Sequence, residues 1–152
     1  MFLCTGNYYR SRFAELLFNH LAFAKSAAWR AESRGLDPDP LNIGPISRHT
    51  RQALERLGIP LGECVRFPLR AAECDFYNSH HIVAVKEAEH RPLIEQQFPT
   101  FLQRVEFWQV HDLDCAGPDE AIPQLERLVS GLVDRLANSA SLSASTTATP
   151  NR

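Results

Sequence analysis

The sequence predicts an α/β fold: a single domain of three layers, α/β/α, around a central four-stranded parallel sheet. Three observations carry this. Segments of strand character alternate with segments of helical spacing along the chain. Ile82-Val83-Ala84-Val85 is an unbroken apolar run, suited to a strand covered on both faces, as parallel strands are. Ile122, Leu125, Leu128, Val129, Leu132, Val133 and Leu136 recur at helical spacing and mark a long amphipathic helix.

In chain order, Phe2 and Leu3 lead as strand into Cys4, and Phe13, Leu16, Leu17 and Leu21 then follow at helical spacing. A second strand is expected over 28–33. The Asp37-Pro38-Asp39-Pro40 loop after it breaks regular structure. Ser47 can cap a helix that carries Ala53, Leu54 and Leu57 and stops at Gly58. A short helix is expected over 69–76, the third strand at Ile82–Val85, and a helix from Glu87 to Gln97 that tolerates Pro92 only near its first turns. Val105 to Trp108 make the fourth strand, and the amphipathic segment makes the last helix. The domain is expected to span 1–137. Residues 138–152, rich in Ser, Thr and Ala, have little to bury and read as a disordered tail. Only Met1, Phe2 and Leu3 precede Cys4, whereas strands average about five or six residues. A recorded start that trims the first strand is therefore expected.

Composition sets the class. With 152 residues, 44% hydrophobic and 22% charged, the chain can bury a proper core. A net charge of −2 gives no nucleic-acid or membrane footprint, and without an apolar run of about 18 residues or a secretory leader a cytoplasmic protein is expected. Cys4, Cys64, Cys74 and Cys115 lack paired spacing, and His80-His81 read as the approach to a strand. Neither a zinc site nor a disulfide scaffold is indicated, and no cofactor is expected.

The chemistry lies in Cys4-Thr5-Gly6-Asn7-Tyr8-Tyr9-Arg10-Ser11. A thiol and a guanidinium six residues apart, between a strand and a helix, can wrap a loop around a tetrahedral oxyanion. Gly6 can leave the usual dihedral regions without steric cost, and Asn7 tolerates the left-handed region, so successive amides can turn inward. Thr5, Gly6, Asn7, Tyr8 and Tyr9 would then bind phosphate, and Arg10 would add a planar fork. A cysteine beside a helix N-terminus and an arginine ionises well below the ~8.5 of a free thiol, with Ser11 as a further donor to the sulfur. Ligands of open parallel sheets sit at the carboxyl ends of strands, where Cys4 ends the first. The turn after the fourth strand reaches the same edge with two acids, Asp112 and Asp114.

On these residues the chain resembles the low-molecular-weight protein tyrosine phosphatase family, which includes one group of arsenate reductases. The resemblance covers residues 1 to about 137. Besides the loop it rests on Ala14-Glu15, on Ser33-Arg34-Gly35 as the family's Ser-x-Gly strand end, on Leu57-Gly58-Ile59, and on Trp108-Gln109-Val110-His111-Asp112. It implies Cys4 as nucleophile, Arg10 as the transition-state clamp and an acid in a Trp-x-Val-x-Asp segment, which selects Asp112 over Asp114. The chemistry implied is hydrolysis of phosphotyrosine or aryl phosphate through a phosphocysteine, without a metal, with rates that fall as Asp112 ionises.

The chain also departs from the family. Tyr9 stands where many members have a second cysteine, so a protective disulfide with Cys4 is not expected. Arg12 replaces a common Pro, and Leu113 the Pro after the acid. Lys86 stands where an Asp is usual. Glu63 stands where several members have a His that supports the loop Asn. Asp114-Cys115 replaces an aromatic pair. Tyr8 and Tyr9 can wall the pocket or simply pack. Two other functions remain open: arsenate reduction with a small external thiol, since residues 75–114 contain no further cysteine for the thioredoxin-coupled version, and a non-catalytic phosphate-binding module.

Overall fold

The computed structural model describes residues 1–62, 65–112 and 118–145. Four strands, β1 (Phe2–Cys4), β2 (Ser33–Gly35), β3 (Ile82–Ala84) and β4 (Val105–Phe107), form one sheet in the order β2-β1-β3-β4. All its pairs are parallel, with Phe2 opposite Ser33 and Val83, Cys4 opposite Gly35, and Ala84 opposite Phe107. Among the described residues five α-helices connect and cover the strands: α1 (Arg10–Ala24), α2 (Arg48–Arg56), α3 (Glu73–Asn78), α4 (Glu87–Gln97) and α5 (Pro118–Ser145). A 3-10 turn at Pro99–Arg104 precedes β4.

Side-chain alternation along the strands divides the core in two. Phe2, Cys4, Val83 and Val85 face Phe13, Leu17 and Phe18 of α1 and Leu125, Val129 and Leu132 of α5. Leu3, Ile82 and Ala84 face the other way, onto Phe76 of α3, Ile94 of α4 and Phe101. The sheet is thus covered on both faces, which is why its two central strands, β1 and β3, are apolar at every position.

Local chemistry explains the boundaries. Ser47 Oγ accepts from Thr50 N at 3.1 Å as the cap of α2, and Gly58 takes φ +68° just beyond its end. Pro92 is the sixth residue of α4, and the helix continues through it. Three expectations shift. The second strand lies at Ser33–Gly35 rather than 28–33, because its pairing follows the register of β1, which puts Phe2 opposite Ser33. The short helix begins at Glu73, not 69. Gly35 N donates to Leu69 O and Ala71 N to Gly35 O, which draws 69–71 out beside β2, and the Asp75 carboxylate then accepts from Ala72 N at 2.8 Å to start the helix. Finally, α5 runs to Ser145, into the segment expected to be tail from 138. Propagation adds one hydrogen bond per residue fixed, and Ser139 Oγ donates to Arg135 O on the way. Residues 146–152, together with Glu63, Cys64, Leu113, Asp114 and Cys115, lie outside the described residues.

Candidate active site

Strand β1 delivers Cys4 to the carboxyl edge of the sheet, and residues 5–9 turn from there into α1. Asn7 N donates to Cys4 Sγ at 3.2 Å, and Ser11 Oγ lies 2.9 Å from the same sulfur. The left-handed residue of this turn is Asn7, with φ +51°; Gly6 is not in that region, contrary to the expectation that it would supply the unusual dihedral. The glycine that packing does require is Gly35. A Cβ there would stand 2.8 Å from Thr5 O and 2.7 Å from Pro38 Cγ, so the loop can cross β2 only over a bare backbone. Among the described residues no side chain caps the first turn of α1.

Asn7 is wholly buried and holds the loop's shape. Its Nδ2 donates to Ser11 Oγ at 3.0 Å and to Ser33 Oγ at 2.8 Å, and its Oδ1 accepts from Arg66 Nη1 and Leu69 N, each at 2.9 Å. Arg66 also reaches Glu15 Oε2 at 3.0 Å and Ser33 O at 2.8 Å. Arg12, expected only as a departure from a common Pro, pairs with Glu15 at 2.7 Å. Sequence reasoning did not single out Arg66. The support that Glu63 does not offer as a histidine comes from this guanidinium and a backbone amide.

Arg10 is almost wholly buried. Its Nη2 donates to Glu89 Oε2 at 2.7 Å and to Asp112 Oδ2 at 2.6 Å; Nη1 donates to Val110 O at 3.0 Å and Glu89 Oε1 at 3.3 Å. Burial opposes its charge, but Glu89, Cys4 and Asp112 outweigh that and hold it more firmly protonated than a free arginine. The fork is therefore engaged: a phosphoryl oxygen that takes Nη2 must displace the Asp112 carboxylate. Glu89 is the second residue missed from sequence. Lys86 points elsewhere, its Nζ 3.2 Å from the ring nitrogens of His111. Its backbone N–H donates to His90 Nδ1 at 3.0 Å, which leaves the imidazole proton on Nε2, 3.5 Å from Glu89 Oε2. Burial, with the charge of Arg10, pushes the His90 pKa down to about 3, so the ring beside this pair is neutral.

Glu89→Gln keeps the volume and one acceptor but loses the charge of a two-point pair. The expected result is a fall of about tenfold in kcat/KM on an aryl phosphate, from a loss of order 1.4 kcal/mol. Unchanged kinetics would show that Glu89 does not position Arg10.

A cavity of about 740 Å³ opens over the loop, bordered by Cys4, Thr5, Gly6, Tyr8, Tyr9, Arg10 and Asp112. Seven of the sequence-derived site residues thus border one cavity, and the other two, Asn7 and Ser11, meet the sulfur of Cys4. Tyr8 and Tyr9 both wall the cavity. Tyr8 Oη donates to Ile43 O at 2.7 Å and ties the 37–47 loop to the phosphate loop. Tyr9 is buried, its hydroxyl has no hydrogen-bond partner among the described residues, and burial with the Asp112 charge pushes its pKa up to about 12.

A thiol in a nest of donors, faced by a guanidinium and a carboxylate at the carboxyl edge of a parallel sheet, defines a cysteine-based phosphatase. The family model of low molecular weight phosphotyrosine protein phosphatase matches residues 1–139, and the chain belongs to that family. Among solved structures, a low molecular weight protein tyrosine phosphatase from Bacillus subtilis is 26% identical, covering 89% of this chain and 94% of its own, with a TM-score of 0.71. Its counterpart from T. tengcongensis is 25% identical over 91% of this chain and 96% of its own, with a TM-score of 0.69. A mutant of the YwlE arginine phosphatase with a phosphorylated active-site serine is 25% identical over 89% and 93%, with a TM-score of 0.73. No curated protein matches. Among the described residues no helix is long and apolar enough to cross a membrane.

Proposed function

We propose that the protein hydrolyses phosphotyrosine, on a protein or as a small aryl phosphate, through a phosphocysteine intermediate. The observation that carries this is the sulfur of Cys4, held by Asn7 N and Ser11 Oγ in the same cavity as Arg10 and Asp112. The thiolate forms an S–P bond as the P–O bond to the phenol breaks. The loop amides and Arg10 bear the charge spread over the equatorial oxygens. Substrate entry separates Asp112 from Arg10. A carboxylate facing a phosphoryl dianion is repelled, whereas the protonated acid donates to the leaving oxygen. The resulting carboxylate then takes a proton from water as the water oxygen bonds to phosphorus and the S–P bond breaks. Inorganic phosphate leaves and the thiolate returns.

Asp112→Asn tests the acid. The expected loss is about 100-fold or more in kcat on phenyl phosphate, and much less on a dinitrophenyl ester, whose leaving group needs no proton. Equal losses on both esters would remove Asp112 from that role, and a larger loss in Asp114→Asn would transfer it.

A second reading, hydrolysis of phosphoarginine, is favoured by the likeness to an arginine phosphatase and by Asp37 and Asp39 on the cavity wall, acids that a guanidinium would meet. Parallel turnover of phosphotyrosine, phosphoarginine and, with added thiols, arsenate decides among the reactions. Binding of vanadate with no turnover of any of them would leave the phosphate-binding module.

A further inference from the structure

The cavity is larger than one aryl phosphate requires; about 300–1,000 Å³ suits a drug-sized ligand. Its walls differ in charge. On the 37–43 side, Asp37 is paired with Arg70 at 2.8 Å, and Asp39 Oδ1 accepts from Leu41 N at 2.8 Å. At the base, Asp112 is paired with Arg10. The α2 side carries Arg48 and Arg51, both exposed and both bordering the cavity. Neither side chain has an ion pair or hydrogen bond among the described residues, whereas Arg56 on the same helix reaches Glu126 at 2.8 Å. Three residues apart, they share one helix face, where like charges repel. They also stand in a first turn that holds no acid, where positive charge opposes the helix dipole. The fold thus bears two unneutralised cations beside the reaction centre at a cost to its own helix.

We infer that Arg48 and Arg51 receive an anionic group of the substrate that flanks its phosphorylated residue: a carboxylate side chain or a second phosphoryl group. This rests on the phosphotyrosine reading and deepens it, since it assigns the substrate class as acidic phosphotyrosine segments.

The test uses three phosphotyrosine peptides of one sequence, flanked by Gln, by Glu, or by a phosphoserine, and the full-length protein with Arg48→Ala, Arg51→Ala, the double variant and the double charge reversal to Glu. Wild type is expected to favour the Glu peptide over the Gln peptide by up to about tenfold in kcat/KM, the yield of two exposed ion pairs of at most about 1 kcal/mol each. The preference should reside mainly in KM and shrink as added salt screens it. It should fall to near unity in the double alanine variant and invert in the charge reversal. A preference confined to the phosphoserine peptide identifies the group as phosphoryl; one shared with the Glu peptide identifies it as any anion. Equal kcat/KM for all three peptides in wild type overturns the inference, as does a preference that survives both double variants. If an aryl phosphate is turned over and none of the peptides is, the small aryl phosphate arm of the proposed function stands, its phosphoprotein arm fails and this inference fails with that arm.

Discussion

Cys4→Ser is expected to lower aryl phosphate turnover by at least about 10⁴-fold, in the range seen when a nucleophile is removed. The neighbours of Sγ explain the size of the loss. Asn7 N is a donor, and Ser11 Oγ itself receives a bond from Asn7 Nδ2, so its own hydrogen is free to point at the sulfur. Such surroundings stabilise an anion already formed but contain no base to create one. A thiol can enter them as thiolate, whereas a hydroxyl stays protonated and unreactive. Vanadate or phosphate should still bind, since Arg10 and the backbone are untouched. Isothermal titration alongside the kinetics separates the two effects. Activity retained within tenfold of wild type would reject sulfur chemistry.

Asn7→Ala should give the largest loss of stability, about 3 kcal/mol, because a buried hub of four hydrogen bonds is removed and Leu69 N loses its acceptor. Ser33 Oγ, Ser11 Oγ and Leu69 N each lose a contact inside the protein, and alanine tolerates φ +51° less well than asparagine. For a domain of this size the melting temperature should fall by about 6–12 °C. Asn7→Gly relieves the dihedral but loses the same hydrogen bonds, and should recover only about 1 kcal/mol of the loss. Thermal melts of both variants check this. A loss below 0.5 kcal/mol in Asn7→Ala, taking ~1 kcal/mol as the ordinary cost of one hydrogen bond, would mean the network carries no net stability.

The architecture was legible because its signals are local and repeated. The unbroken apolar run at 82–85 and the helical spacing at 122–136 are each contained in one short stretch, and β3 (Ile82–Ala84) and α5 form over them. Cys4, Arg10 and Ser11 were legible because the loop is a contiguous stretch of chain whose chemistry needs those residue types in that order. Asp112 was found through the Trp108-to-Asp112 segment, and the structure places it 2.6 Å from Arg10. The supports were not legible. Arg66 lies 59 residues from Asn7, and Glu89 lies 79 from Arg10. Nothing in either local sequence separates such a side chain from an ordinary surface charge. The role of Gly35 was equally hidden, because its crowding comes from Thr5 and Pro38 and exists only once the loop has folded over it.

The two oxygens of Glu89 meet both terminal nitrogens of Arg10, so the guanidinium is gripped at two points before any ligand arrives. A planar group held in this way presents its remaining donors in one direction, and the bearing from which an oxyanion approaches it is set by a side chain 79 residues away. An ammonium, a point charge that turns freely, would carry no such bearing.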